Sequence, residues 1–341
     1  MIEVENLVKR YGNHLAVDHL SFKVEPGKIY GFLGPNGAGK STTMNIMTGY
    51  IAATEGNVKI NGYDIVKDAE EAKKCIGYLP EIPPLYLDMT VAEYLKFVAG
   101  LKKLKKEEWE KQIKEVMELT MIGDMSNRLI KNLSKGYKQR VGLAQAILGY
   151  PDIIILDEPT VGLDPKQIIE IRDLIRKLGE KHTVILSSHI LSEVQAVCDE
   201  IMIISKGRLV ACDTPEGLTG FMNGSAIIEL VVAGTEEKVE DVIKEITGIQ
   251  KWHFENSSEN ESVKLVIETD SKTDIRTELF YALAESRLPI LSMNRLEKSL
   301  EDVFLTLTGD NETPMDTENA NEGENTLNEG REKEAENDSD I

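Results

Sequence analysis

The sequence alternates short apolar runs with longer segments in which apolar residues recur at every third or fourth position. Ile29–Leu33, Ile153–Leu156 and Thr183–Ser187 are short and largely apolar, which is typical of strands buried on both faces of a parallel sheet. Thr43–Thr48 and Lys166–Leu178 are predicted helices that follow two of them. This alternation predicts an α/β fold. Further strands are predicted at Met1–Tyr11, Leu20–Glu25, Asn57–Asn61, Cys75–Leu79, Glu200–Ser205 and Arg208–Cys212.

A helical pattern replaces this alternation between residues 88 and 150. Thr90 and Glu93 have the spacing of a capping box at a helix start. Residues 101–120 combine many Lys and Glu with apolar residues at helical spacing, so an amphipathic helix with a solvated charged face is predicted there. We therefore expect residues 88–150 to form a helical insertion within a first domain of residues 1–215.

The chain after Pro215 has its own succession of elements. Its pattern indicates the order β-α-β-β-α-β, followed by a last helix, and predicts a small ferredoxin-like α+β domain at residues 216–308. Trp252 and His253 stand out in it, and we interpret them as core or dimer-contact residues. The predicted elements are the strands Ala226–Val232, Val263–Glu268 and Ile290–Leu296 and the helices Glu236–Thr247 and Asp274–Ser286.

The charge of the chain is concentrated at its end. The net charge is −20, and residues 309–341 contain twelve Asp or Glu against Arg331 and Lys333, with no aromatic residue. Such a segment buries too little apolar surface to offset the entropy of ordering, so we predict a disordered acidic tail. An acidic chain is also repelled by phosphate backbones, which argues against a nucleic-acid partner.

Composition narrows the class of protein further. With 341 residues and 41% hydrophobic residues, the sequence is typical of a globular protein of more than one domain. No stretch approaches the roughly 18 consecutive apolar residues of a membrane span. Cys75, Cys198 and Cys212 are scattered, so a reducing cytoplasm is expected and a zinc site is not.

A phosphate-binding loop is indicated at Gly34–Ser41, which reads G-P-N-G-A-G-K-S. It lies between a predicted strand and a predicted helix, where its backbone N–H groups and the helix N-terminus would surround a phosphate. Lys40 would reach the β- and γ-phosphates, and the Ser41 hydroxyl would hold Mg²⁺. The full set of predicted nucleotide contacts in this loop is Gly34, Pro35, Asn36, Gly37, Ala38, Gly39, Lys40, Ser41 and Thr42.

Acidic residues and a histidine follow three of the predicted strands. Asp157 ends a buried strand and would hold Mg²⁺, and Glu158, next to it, would accept a proton from an attacking water. His189 follows another strand of the same sheet, so a γ-phosphate contact is favoured over a structural role. Glu81 follows Cys75–Leu79 and is either a further magnesium contact or a solvated loop acid.

Two more positions each allow two interpretations from the residues alone. Tyr11, at the end of the first strand, is either a partly buried edge aromatic or a ring that stacks on adenine. Ser134 and Gly136 open a predicted helix, where they form either an ordinary helix cap or a second anion site.

Together these motifs resemble the nucleotide-binding subunit of ATP-binding-cassette (ABC) transporters over about residues 1–215. The corresponding segments are the Walker A loop (Gly34–Thr42), signature loop (Leu133–Tyr137), Walker B strand with its glutamate (Ile153–Glu158), D-loop (Gly162–Asp164) and switch histidine (His189). The resemblance implies a P-loop NTPase fold with a RecA-like core, an antiparallel β subdomain and a helical insertion. It also implies that Tyr11 stacks on adenine and that ATP and Mg²⁺ are bound.

The same resemblance implies partners. Two copies of such subunits pack head to tail, so Ser134 and Gly136 would act on the ATP held by the other copy. The sequence departs from the common pattern at Lys135 and Tyr137 in the signature loop, and at Glu81, where most members have glutamine. These variants are similar to those of subunits that serve ABC-2-type exporters, including the gliding-motility-associated branch.

Three functions were compared on this basis. We expect an ATPase at the cytoplasmic face of the cell membrane, held there by a separate ABC-2-type permease that forms the pore. A cassette ATPase acting on ribosomes or DNA is the alternative, but such proteins usually carry two cassettes or a long coiled coil. A nucleotide sensor without turnover would lack a catalytic acid, whereas Glu158 is present.

Overall fold

The computed structural model describes residues 1–221, 226–257, 261–269, 274–296 and 300–309. Residues 1–308 form one compact unit. The predicted acidic tail, from residue 310 onward, lies outside the described residues. Within the described part, the strands form three sheets of six, four and four strands. No helix among these residues has the length and apolar character to cross a membrane.

The six-stranded sheet is the centre of the first 215 residues. Its order is β10-β9-β3-β8-β7-β6, with parallel pairing from β9 to β6 and an antiparallel edge strand, β10. Every residue of β3, β7 and β8 is buried, as their apolar runs predict. The strands are β3 (Ile29–Leu33), β6 (Ile76–Leu79), β7 (Ile153–Asp157), β8 (Thr183–Ser188), β9 (Glu200–Ser205) and β10 (Arg208–Asp213).

Two hydrophobic cores cover the two faces of this sheet. Because side chains alternate along a strand, Ile29 and Leu33 enter one core, while Tyr30 and Phe32 enter the other. The first core is shared with the helical insertion, and the second with the antiparallel sheet. The carboxyl ends of the parallel strands therefore meet at one edge, between two rigid layers.

The antiparallel sheet has the order β2-β1-β4-β5. Its strands are β1 (Ile2–Tyr11), β2 (His14–Val24), β4 (Glu55–Ile60) and β5 (Tyr63–Asp64). We predicted that the second strand starts at Leu20, but it starts at His14, directly after the turn at Gly12–Asn13. The polar residues Asp18 and His19, the latter at φ +51°, interrupt the alternation on which that prediction rested.

The helical insertion forms as predicted. Thr90 Oγ1 accepts a hydrogen bond from the Glu93 N–H (3.3 Å), and the Glu93 carboxylate accepts one from the Thr90 N–H (2.8 Å), which completes the capping box. The helices of the first 221 residues are α1 (Lys40–Met47), α2 (Ala69–Lys74), α3 (Val91–Leu101), α4 (Lys106–Leu119), α5 (Lys135–Ile147), α6 (Pro165–Gly179), α7 (Leu191–Val197) and α8 (Pro215–Phe221). The sequence pattern did not predict α7 and α8, which are each only seven residues long.

The third sheet has its own hydrophobic core. Its order is β12-β13-β11-β14 with every neighbouring pair antiparallel, which is the ferredoxin-like arrangement. Trp252 lies on the edge strand β12 and is 36% exposed, so the prediction of a core position is wrong. The elements are β11 (Ala226–Ala233), α9 (Glu236–Ile243), β12 (Ile249–Glu255), β13 (Ser262–Thr269), α10 (Arg276–Glu285) and β14 (Ile290–Leu296).

The last helix, α11 (Leu300–Thr308), returns to the first part of the chain. Leu300 and Val303 are buried in the core that the six-stranded sheet shares with the helical insertion. The Ser205 hydroxyl at the end of β9 donates to the carbonyl oxygen of Thr308 (3.5 Å). Burial of this helix therefore contributes to the stability of the first 215 residues.

Gly77 tests the close packing of the six-stranded sheet against the insertion. A Cβ at this position in β6 would collide with the carbonyl oxygen of Ala146 in α5. We expect Gly77→Ala to lower the free energy of unfolding by about 1–3 kcal/mol, because α5 must move away from the sheet. Gly123→Ala is the matched control, since a Cβ there meets no atom within 4 Å. Equal stability of the two variants in urea unfolding would contradict this packing.

Candidate active site

The predicted phosphate loop joins the end of β3 to the start of α1. Gly39 has φ +102°, and a Cβ at this residue would lie 2.5 Å from the carbonyl oxygen of Ala16, so only glycine fits. The Thr43 N–H donates to the Gly39 carbonyl (2.9 Å) and begins the helix. The loop thus has the strand–loop–helix setting that its sequence predicts, with the helix N-terminus directed at the loop.

Lys40 lies across the loop. Its ammonium group donates to the carbonyl oxygens of Gly34 (2.6 Å) and Pro35 (3.3 Å). It also lies 3.8 Å from Glu158 Oε1. Burial lowers the pKa of Lys40, and the nearby carboxylates of Glu158 and Asp157 act in the opposite direction. This cation is therefore held inside the cleft by carbonyl oxygens and opposed by carboxylates, where it would meet a phosphate.

Asp157 is 4% exposed at the end of β7. Its Oδ1 accepts hydrogen bonds from the hydroxyls of Ser41 (3.2 Å) and Ser187 (2.5 Å). The Ser41 bond joins the phosphate loop to the Walker B strand. Hydroxyl and carboxylate oxygens are the ligands that Mg²⁺ prefers in nucleotide sites.

The oxygen donors around Ser41 fit a magnesium ion that is shared with phosphates. Among the described residues, no group of three or more His, Cys, Asp or Glu side chains forms a self-sufficient metal site. Mg²⁺ in such sites usually takes one or two protein ligands together with phosphate oxygens and waters. Ser41 and Asp157 match this pattern, and Glu81 lines the same cleft as Ser41.

Glu158 and His189 come together between the ends of β7 and β8. The Nδ1 atom of His189 lies 3.0 Å from Oε2 of Glu158. Glu158 is only 7% exposed and has φ +47°, a left-handed conformation that is uncommon for residues other than glycine. Its N–H donates to the Ser187 hydroxyl (2.9 Å), which holds the backbone in this conformation. Local strain of this kind is typical of functional sites.

A cleft of about 390 Å³ collects most of the predicted residues. It is lined by Tyr11, His14, Ala16, Pro35, Asn36, Gly37, Ala38, Gly39, Lys40, Ser41, Thr42, Glu81, Glu158, Val161 and His189. Of the predicted residues, Gly34 and Asp157 lie just behind this lining and contact it through Lys40 and Ser41.

His14, Ala16 and Val161 line the cleft but were not predicted from the sequence. A signal existed for His14, which faces Tyr11 directly across the β1–β2 hairpin. Tyr11 is 49% exposed, and the ammonium group of Lys9 lies 5.1 Å from its ring centroid. The ring is thus available at the rim of the cleft, and its stacking on adenine stays a prediction.

Ser134 and Gly136 lie elsewhere. The Ser134 hydroxyl accepts a hydrogen bond from the Tyr137 N–H (3.3 Å), so Ser134 is the N-cap of α5. Gly136 lines a separate cavity together with Asp164 and Gln167 of the D-loop and α6. Within one copy of the chain, the signature loop is therefore beside the D-loop and not in the cleft that contains Lys40.

This fold and this site define a phosphate-loop nucleotide hydrolase, and comparisons with known proteins specify the family. A family model for ABC transporters matches residues 17–161. The linearmycin resistance ATP-binding protein LnrL of Bacillus subtilis is 34% identical over 311 residues, which cover 91% of this chain and 98% of that protein. The bacitracin transport ATP-binding protein BcrA of Bacillus licheniformis is 34% identical over 311 residues, covering 91% and 97%.

Solved structures agree with this assignment. The structure of an ATP-binding subunit of an ABC transporter has a TM-score of 0.60 at 30% identity and covers 65% of this chain and 92% of that one. A dimeric ATP-binding cassette in a post-hydrolysis state, bound to ADP and Pi, has a TM-score of 0.58 at 27% identity and covers 63% and 98%. The chain belongs to the family of ABC transporter ATP-binding subunits, and it is an ATPase.

The position of Glu158 leads to a prediction about turnover. If its carboxylate accepts the proton of the attacking water, Glu158→Gln removes the base and leaves the phosphate loop intact. We expect kcat for ATP to fall by roughly a hundredfold or more, with ATP affinity unchanged. Steady-state phosphate release and titration with a fluorescent ATP analogue measure the two quantities.

The control is Glu118→Gln, the same change at an exposed position of α4. Turnover of Glu158→Gln within a few-fold of wild type would show that another group activates the water.

Proposed function

We propose that this chain is the motor subunit of an ABC-2-type exporter, in which hydrolysis of ATP between two copies is transmitted to a separate membrane permease. One observation carries the proposal. Ser41 and Glu81 line both the nucleotide cleft and a second, more apolar cavity of about 620 Å³ beside it. A partner seated in the second cavity would touch residues that also border the nucleotide.

The chemistry follows from the residues of the cleft. Lys40 and the N-terminus of α1 would bind the β- and γ-phosphates, and Tyr11 would stack on the adenine. Glu158 would orient and deprotonate the attacking water, while His189, 3.0 Å from Glu158, would contact the γ-phosphate. When bound by Ser41, Asp157 and Glu81, Mg²⁺ would neutralise charge on the phosphate oxygens.

The second half of the site is supplied by another copy of the chain in this proposal. Ser134 and Gly136 open α5, whose N-terminal N–H groups and dipole favour an anion, yet they do not line the cleft of their own copy. A head-to-tail pair would place them over the γ-phosphate held by the partner. A dimeric relative bound to ADP and Pi supports this arrangement.

The surface beside Glu81 suits a membrane partner. Tyr50 and Ile82, which line the second cavity, are 79% and 83% exposed. Pro84 and Lys102 also line an adjoining cavity that contains Tyr86 and Leu101, both largely exposed. An apolar surface of this extent is typical of a protein interface. We define the docking groove as Tyr50, Ile82, Pro84, Tyr86 and Leu101, and assign the permease to it.

Two further parts of the proposal concern organisation and cargo. We propose that residues 216–308 act as an accessory domain that regulates or stabilises the dimer, since their sheet has its own core. The relatives named for linearmycin resistance and bacitracin transport support export. The permease would select the cargo.

Membrane retention tests the docking groove. We expect Ile82→Asp to release the full-length chain from membranes of its native host, because a charge in an apolar interface is costly to desolvate. Val66→Asp is the matched control, a comparable change at an aliphatic residue that is 72% exposed outside the groove. Quantitative immunoblotting of membrane and soluble fractions measures the effect.

The ATPase activity of both purified variants should equal that of the wild type, since neither residue lines the nucleotide cleft. Retention of Ile82→Asp at the wild-type level, or equal release of both variants, would contradict the assignment of the groove.

A further inference from the structure

Glu193 is an acidic side chain that none of the family motifs includes. It lies on α7 and is only 4% exposed. The ion pairs found among the described residues include no cation for it. Burying a carboxyl group away from water is costly unless its oxygens receive hydrogen bonds. Its position therefore needs an explanation in what it contacts.

One oxygen of Glu193 accepts two hydroxyl hydrogen bonds. Thr160 Oγ1 donates to Oε2 at 2.6 Å, and Ser188 Oγ donates to the same atom at 3.1 Å. Both hydroxyls are themselves in buried residues. Glu193 thus joins the segment that follows β7 to the segment that follows β8.

The two hydroxyl residues flank the proposed catalytic pair. Thr160 comes two positions after Glu158, and Ser188 comes directly before His189. The Ser188 hydroxyl also accepts a hydrogen bond from the Ile190 N–H (3.0 Å), so Glu193 is linked to the backbone on both sides of His189. Any shift of Thr160 relative to Ser188 would change the 3.0 Å separation between Glu158 and His189.

A second bridge between the same strands lies on the other side of the pair. Ser187 donates to Asp157 and accepts from the N–H of Glu158. This bridge holds Glu158 from its amino side, but the left-handed turn at Glu158 leaves the following residues to be fixed separately. Glu193 holds that other side through Thr160.

We infer that Glu193 is a positioning residue, which sets the distance between the general base and the switch histidine by holding Thr160 and Ser188 on one oxygen. The inference rests on the proposed roles of Glu158 and His189. Glu193 does not line the nucleotide cleft, so it would affect turnover and leave nucleotide binding unchanged.

The kinetics of substitutions at both ends of this bridge test the inference. We expect Glu193→Ala and the isosteric Thr160→Val each to lower kcat by roughly tenfold to a hundredfold, with KM and ATP-analogue affinity within about twofold of wild type. Glu193→Gln should retain most activity, because its amide oxygen can still accept both hydroxyl bonds. In the double variant, the two losses should not add, since they break the same bridge.

Thr120→Val is the matched control. Thr120 is fully buried in the helical insertion, and its hydroxyl donates to the Val116 carbonyl (2.7 Å), so the change has the same chemistry away from the cleft. We expect a lower melting temperature and unchanged kcat. An equal loss of kcat in Thr120→Val, or Glu193→Gln as slow as Glu193→Ala, would overturn the inference.

Glu158→Gln separates this inference from the proposed function. If Glu158→Gln keeps wild-type turnover, the role proposed for Glu158 is wrong whatever Glu193 does. If Glu158→Gln is slow while Glu193→Ala and Thr160→Val are not, only the positioning role of Glu193 is wrong.

Discussion

The hydrogen bond between Ser41 and Asp157 joins the two halves of the site, and the rest of the structure places its two ends. Ser41 begins a helix after β3, and Asp157 ends β7, with β8 between these strands. Their carboxyl ends meet at one edge because all three strands run parallel and are buried on both faces. The hydrophobic effect in two cores thus fixes where a hydroxyl, a lysine and two carboxylates converge.

This arrangement accounts for the chemistry of one copy and for its incompleteness. The cleft holds a cation, a strained carboxylate and a histidine around the place of a γ-phosphate, but the capped start of α5 lies beside the D-loop. An anion-binding helix end with no anion site in its own copy is explained if it serves another. The proposed dimer therefore follows from the separation of the two helix N-termini in a single chain.

Much of this was predictable from the sequence because the decisive signals are local. Buried parallel strands appear as apolar runs, and the residues directly after them, such as Glu158 and His189, must lie at the same edge. His14 and Glu193 were not predictable in the same way. A glutamate on a short helix has the same sequence pattern whether it meets solvent or two buried hydroxyls, and only the packing of α7 distinguishes the two. The return of α11 to the first core is likewise a long-range contact.

The most direct test of the account is complementation between two inactive variants. Lys40→Ala disables the phosphate loop, and Ser134→Arg disables the signature end of α5. If ATP is held between the loop of one copy and the signature of another, an equimolar mixture of the two purified variants should recover about a quarter of the wild-type ATPase activity, because half of the random dimers contain one intact site. A mixture no more active than the sum of the separate variants would contradict the shared site.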